Sequence, residues 1–301
     1  MERRPSCMGR LDGKVAIVTG ASRGLGKAIA ELFAAEGAAV AVVARTEQQW
    51  DARMPGTIHE TVATIEAAGG RAVAVPADLG DSAQVDSVVD RVHDALGPVD
   101  ILVNNAALTI PGRPPQPDGE ERPRSTAPRV ARPASGPELA PGSFLAFPLA
   151  GFRRHFEIGT FASYRLMQLV LPDMVARGRG AIVNISSQAG FVPGEGPYER
   201  AGSPGPLAYG GNKAALHHLT QTVAQEMQAH GVAVNVLSPS EPVITPGTLV
   251  AVAGETDWAS PEEFAEATLL AALVDPQVVN GQLLWSDDLF HPELGRRGWL
   301  R

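Results

Sequence analysis

The sequence predicts an α/β fold: one doubly wound parallel sheet with helices on both faces, in a single domain. Two observations carry that reading. Short runs of Val, Ile and Ala alternate with segments of helical periodicity, the signature of βαβ units. A glycine-rich turn, "TGASRGLG", joins the first run to the first helix.

The elements follow in order. "KVAIVTG" (14–20) reads as a buried strand. "LGKAIAELFAAEG" (25–37) is a helix with Leu25, Ile29, Leu32 and Phe33 at helical spacing and Gly37 as stop signal. "AAVAVVAR" (38–45) and "RAVAVPADL" (71–79) are strands, and the helix between them carries Ile58, Val62 and Ile65 on one face. "SAQVDSVVDRVHDALG" (82–97) predicts one helix with Val85, Val88, Val89, Val92 and Leu96 inward, capped by Asp81 or Ser82. "VDILVNNAA" (99–107) is the fourth strand. Residues 111–148 break the pattern, with 10 of the chain's 25 prolines. Such a stretch lacks backbone donors and apolar surface, so it reads as an irregular insertion. Beyond it, 152–178 predicts one long helix, 180–187 a strand and 209–230 a helix with Leu216, Leu219, Val223 and Met227 inward. A strand follows at 232–239, a helix at 260–274 capped by Ser260, and a last strand at 281–286. The expected organisation is an extension (1–10), a domain (11–290) and a tail (291–301), with Met8 as an alternative start.

Composition narrows the function. A net charge of −8 argues against nucleic acid, whose phosphates need clustered Lys and Arg. No apolar run reaches the roughly 18 residues that span a bilayer. The single Cys7 excludes an internal disulfide and fits the cytoplasm. His217 and His218 are adjacent on a helix and cannot share a face to hold a metal.

Two motifs carry chemistry. Gly20, Gly24 and Gly26 stand where a turn must let a pyrophosphate approach the backbone at a helix start. Ser22, Arg23 and Leu25 lie between them. At the end of the second strand, where an acidic residue would accept the ribose hydroxyls of NAD, stand Ala44 and Arg45. Arg45, assisted by Arg23, would fork onto a 2′-phosphate, which favours NADP(H) and leaves NAD(H) a lesser option. Two solvated arginines are the plainer alternative. The second motif is Tyr209 four residues ahead of Lys213, which puts both on one helix face. An ammonium there would favour the phenolate and bring the tyrosine towards neutral-pH proton transfer. An exposed Tyr and a solvated Lys are the alternative.

Together "TGASRGLG", "ADL" (77–79), "NNAA" (104–107), "IVNISS" (182–187), "YGGNK" (209–213) and "VNVLSP" (234–239) resemble the short-chain dehydrogenase/reductase family, over residues 10–108 and about 150–290. The resemblance implies a Rossmann-type fold and an NAD(P)-dependent oxidoreductase acting on a carbonyl or secondary alcohol, as a homodimer or homotetramer. It makes Tyr209 the general acid/base, Lys213 its partner and ribose ligand, and Ser187 the serine on the substrate oxygen, with Ser186 in reserve. It places Asp78 and Leu79 at the adenine, Asn105 and Ala106 along the cofactor, and Thr245 near the carboxamide. A turn cap for Asp78 and a strand-tying amide for Asn105 are compatible alternatives. "PGTIHETVATIEAAGG" is similar to the subgroup around hydroxysteroid dehydrogenase-like protein 2, which hints at bulky, lipid-like substrates.

Three positions depart from the family. The gap from Ser187 to Tyr209 is 22 residues, longer than usual. The family's catalytic asparagine falls on Gly159. "PG" after the sixth strand is Pro239 and Ser240. The second departure keeps open a catalytically impaired nucleotide-binding regulator or scaffold.

Overall fold

The computed structural model describes residues 9–108, 143–192, 194, 206–251 and 258–290. Most of the Pro-rich insertion, most of the loop ahead of Tyr209 and the tail after 290 lie outside the described residues. Seven parallel strands form one sheet in the order β3-β2-β1-β4-β5-β6-β7. They are β1 (Val15–Thr19), β2 (Ala39–Ala44), β3 (Arg71–Pro76), β4 (Ile101–Asn104), β5 (Gly180–Ile185), β6 (Val232–Ser238) and β7 (Leu283–Trp285).

Strand alternation builds a core on each face. Ala16 and Val18 of β1 face Ile29 and Phe33 of α1 (Gly24–Ala35), Ile58 and Ile65 of α2 (Ile58–Ala67), and Phe264 and Leu269 of α9 (Pro261–Ala272). Val15 and Ile17 face Val88 and Val92 of α4 (Val88–Leu96), Leu166 and Met174 of α6 (Ala162–Arg177), and Met227 of α7 (Leu207–Met227). Strands buried on both faces explain the unbroken apolar runs. The strand order reverses between β1 and β4, so the loops after these strands diverge and leave a crevice at their carboxyl ends. No helix among the described residues is long and apolar enough to cross a membrane.

Two predicted helices differ. The segment 82–97 is divided into α3 (Ser82–Asp86) and α4, because Ser87 Oγ donates to Gln84 O at 2.9 Å and competes with the ladder. Asp81 is its cap. The segment 152–178 is longer and not uniform. It opens as α5 (Leu149–Phe156), passes through a π turn (Glu157–Phe161) and continues as α6. Gly159 sits inside the π turn. Two short helices, α8 (Pro246–Ala251) and α10 (Ser286–Phe290), complete the described chain. The latter is held by Ser240, whose Oγ accepts from Asp287 N at 3.1 Å and whose N–H donates to Ser286 Oγ at 3.1 Å.

Candidate active site

A cleft of about 670 Å³ runs along the carboxyl ends of β1, β2, β4, β5 and β6. It is lined by every residue the sequence pointed to: Gly20, Ser22, Arg23, Gly24, Leu25, Gly26, Arg45, Asp78, Leu79, Asn105, Ala106, Ser187, Tyr209, Lys213 and Thr245. Residues as distant as 20 and 245 meet there because parallel strands bring all their βα loops to one edge.

The glycine loop is shaped by close approach. Gly20 has a φ of +68°, and a Cβ on it would come within 2.9 Å of Ala106 Cα. At Gly26 a Cβ would overlap the Gly20 carbonyl. Helix α1 opens with no side-chain cap, so its first N–H groups face the cleft unclaimed by a capping residue. This cradle fits the pyrophosphate of a dinucleotide. Asn105 ties the loop down: its Nδ2 donates to Thr19 O at 2.8 Å, the strand-tying amide that the sequence allowed.

The adenosine end carries the charge. Arg45 lines the cleft near Asp78 and, by its charge, helps hold that carboxyl down. Arg23 is partly buried, with Nη2 donating to Gly56 O at 2.7 Å; burial lowers its pKa against the pull of Glu60 and Asp51. Asp78 Oδ1 accepts from Gly80 N at 3.1 Å, which is the turn-cap role. Arg154 Nη2 also reaches both its oxygens, at 2.5 and 2.8 Å. Burial alone would raise the Asp78 pKa; the Gly80 N–H and then Arg154 outweigh it and lower it. Trp50 and Met54 line this end as well, and sequence reading missed them.

At the opposite end Ser187 stands near enough to the Tyr209 phenol to pull its pKa down, and Ser187 Oγ accepts from Ala189 N at 3.3 Å. Ser186 faces elsewhere, to His217 Nε2 at 2.5 Å. Lys213 is 2 % exposed, its Nζ donating to Ile185 O at 2.6 Å and lying 5.8 Å from the Tyr209 ring centroid. One expectation needs correction. Burial raises the Tyr209 pKa above its ordinary value, and Ser187 only partly opposes it. Lys213 does not overturn that balance: its Nζ donates to the Ile185 carbonyl, and burial brings its own pKa down to about 8. His155, unremarked in the sequence, lines the cleft edge-on to Tyr209, with ring centroids 6.2 Å apart. Burial, with Lys213 second, lowers its pKa and keeps it neutral.

At Gly159 the sheet-facing side of the π turn meets α7. A Cβ there would overlap Asn212 Oδ1 and lie 3.0 Å from its Cγ. No side chain can stand at 159 while Asn212 stays where it is.

Known proteins resemble this chain in sequence and fold. A family model described as short chain dehydrogenase matches residues 14–123 and 134–248. A ketoacyl reductase, HetN, from Nostoc sp. is 30% identical over 267 residues, covering 88% of this chain and 77% of that protein. The 7alpha-hydroxysteroid dehydrogenase of Escherichia coli K12 is 30% identical over 285 residues, 91% and 93% of the two chains. Among solved structures, a 7-alpha-hydroxysteroid dehydrogenase complexed with NADH and 7-oxo glycochenodeoxycholic acid superposes with a TM-score of 0.69 at 28% identity, covering 94% and 96%. A short chain dehydrogenase from Burkholderia cenocepacia in complex with NADP gives 0.65 at 27%, covering 92% and 97%. With a model match over most of the chain and relatives at this identity, the protein belongs to the short-chain dehydrogenase/reductase family.

Proposed function

We propose that the chain is an NADP-preferring oxidoreductase that exchanges a hydride between the nicotinamide cofactor and a carbonyl or secondary alcohol on a bulky, largely apolar substrate. The coarser part, an oxidoreductase of the NAD(P)-dependent kind, comes with the family. The observation that carries the rest is the juxtaposition of Tyr209, Ser187 and Lys213 inside the cleft that begins at the glycine loop.

When bound, the nicotinamide supplies or accepts the hydride. The residues do the remaining work. Gly20, Gly24 and Gly26 with the start of α1 would hold the pyrophosphate. Arg45 and Arg23 would face a 2′-phosphate, while Asp78 and Leu79 would border the adenine. Asn105, Ala106 and Thr245 would line the path to the reacting end. Ser187 would donate to the substrate oxygen. Tyr209 would give that oxygen its proton in reduction and take it back in oxidation. Burial keeps Tyr209 as the neutral phenol, the form that reduction uses. Lys213 would turn from Ile185 O to a bound ribose, and its charge would then ease the phenolate required for oxidation.

Leu108, Ile158, Pro242 and Val243 make the reacting end apolar, which suits a bulky substrate. Relatives named for hydroxysteroids support that class. A cytoplasmic homodimer or homotetramer belongs to the same proposal. Phe161, which ends the π turn, and Tyr164 on α6 are 54% and 46% exposed and support self-association.

The test is a turnover screen of ketones and secondary alcohols with NADPH, NADH and their oxidised forms. Tyr209→Phe runs beside the wild type. The variant should lose about 10²- to 10⁴-fold in turnover, the scale of a general acid/base, and keep its cofactor affinity. Cofactor binding without turnover anywhere in the panel would favour the regulator or scaffold reading.

A further inference from the structure

Asn212 makes an unusual set of contacts for a residue inside a helix. It is 2 % exposed and stands between Tyr209 and Lys213 on α7. Its Nδ2 donates back to two carbonyls of its own helix, Ala208 O at 3.0 Å and Tyr209 O at 2.6 Å. Those carbonyls belong to the turn that presents the Tyr209 side chain. The amide orientation follows from these bonds, since a flipped amide would set oxygen against oxygen. Its Oδ1 therefore points the other way, buried, with no partner among the described residues. It points at Gly159 of the π turn, the one residue type that leaves it room. The backbone is stitched at the same place: Thr160 Oγ1 donates to Asn212 O at 3.1 Å.

A buried amide oxygen left unpaired is destabilising. A glycine inside a helix is less stable than alanine. The two costs fall on residues 53 positions apart that touch one another, which makes them one device. We propose that Asn212 and Gly159 form a complementary pair that positions Tyr209 for proton transfer: the glycine notch admits the amide, and the amide clamps the turn from which Tyr209 reaches Ser187. Asn212 is a positioning residue and touches neither substrate nor cofactor. The inference rests on the Tyr209 role proposed above.

The pair is tested by Asn212→Ala, Asn212→Asp, Gly159→Ala and the double variant Gly159→Ala/Asn212→Ala. Asn212→Asp keeps the shape and replaces the donor with a charged acceptor that the two carbonyls repel. Each single change should lower kcat about tenfold, 1.4 kcal/mol of barrier, with KM and cofactor affinity little changed. The double variant should also lose about tenfold, not a hundredfold, because both changes remove the same clamp. A second readout needs no turnover. The phenolate absorbance of each chain, minus that of its Tyr209→Phe counterpart, gives the Tyr209 titration with NADP⁺ bound. Its midpoint should move by about half a pH unit or more in every variant, and by the same amount in the double variant as in the singles. Circular dichroism and thermal melts show that the variants are folded. An unmoved Tyr209 midpoint in Asn212→Ala and Asn212→Asp overturns the proposal, as does a double variant that loses the product of the two single effects. If the wild type turns over no substrate, the oxidoreductase role falls separately, and the titration still decides the clamp.

Discussion

Arg154 holds both carboxylate oxygens of Asp78 through one nitrogen, at 2.5 and 2.8 Å, across 76 residues of chain. Arg154 lies on α5, where the described chain resumes after the Pro-rich insertion, and Asp78 lies on the loop after β3 at the adenosine end of the cleft. The contact thus pins the return of the insertion to the cofactor wall. Both side chains are mostly buried, so the pair is worth more than an exposed one. Arg154→Met should cost about 1–3 kcal/mol, the price of leaving a charged acceptor short of its partner. The sign with pH follows from the lowered Asp78 pKa. Its contribution is present above the ordinary carboxylate range and is lost as pH falls through the folded value. Urea unfolding from neutral to acid pH should therefore show a shallower acid loss in the variant. Parallel curves would refute the coupling.

Ser187 and Ser186 are neighbours with different duties. Ser187 meets Tyr209, whereas Ser186 is buried against His217. His217 is driven down to about 4 by burial, with Lys213 adding to the effect, so it stays neutral and can accept from Ser186 at working pH. Ser187→Ala should lower kcat by about 10²-fold or more with little change in melting temperature, the loss expected when an oriented hydrogen bond to a reacting oxygen disappears. Ser186→Ala should do the reverse: a loss of stability of about 1–3 kcal/mol from the unpaired His217, and kcat within a few-fold. Steady-state kinetics and melts on both variants decide. Equal kinetic losses would show that the serines share the role.

Arg45 sets cofactor choice if the 2′-phosphate sits at the end of β2. Arg45→Asp should weaken NADPH by about tenfold or more, because an attractive charge becomes a repulsive one. NADH should bind as well as before or better. Fluorescence titration of both cofactors against both chains measures it. A wild type that prefers NADH would reverse the assignment.

Much of this was legible in the sequence, and the failures have physical reasons. The central strands were readable because strands covered on both faces are apolar without interruption, and the edge strand β3 by its alternating Ala and Val. The cleft residues were readable because glycine turns and the Tyr209–Lys213 spacing are local. What escaped depends on partners far away in the chain. The break at Ser87 is one hydroxyl choosing a carbonyl over the helix ladder. Gly159 looked like a loss, since Asn212, which occupies its notch, is 53 residues on and reads as an ordinary helix position. Arg154 and His155 sit in "FRRHFE", where charge on a helix suggests solvent, yet both turn towards the cleft. Lys213 lines the cleft, but its hydrogen bond to the Ile185 carbonyl is a tertiary choice that spacing cannot express.

That choice makes Lys213 a pH-dependent element of the chain free of cofactor. The side chain is fully enclosed, and burial lowers its pKa from 10.5 to about 8. An unfolded lysine keeps its proton up to 10.5, whereas the folded one releases it near 8. Between those values the unfolded chain binds more protons, so stability must rise with pH across that window. Tyr209 works in the opposite direction higher up: burial raises its pKa above 10, so the unfolded chain ionises first and stability falls there. Lys213→Met keeps the buried stem and removes the charge. It should lack the rise above pH 8 while keeping the fall above pH 10, and near neutral pH it should be at least as stable as the wild type. Denaturation curves of both chains at several pH values above 8 give the difference, clear of His155 and His217, whose lowered pKa values Lys213 helps to set. NADP⁺ should reverse the order, because a ligand that takes the ammonium offsets its burial and by mass action stabilises the wild type more than the variant. If the two chains run parallel with pH, or if NADP⁺ stabilises Lys213→Met as strongly as the wild type, the buried ammonium has no part in holding the cofactor.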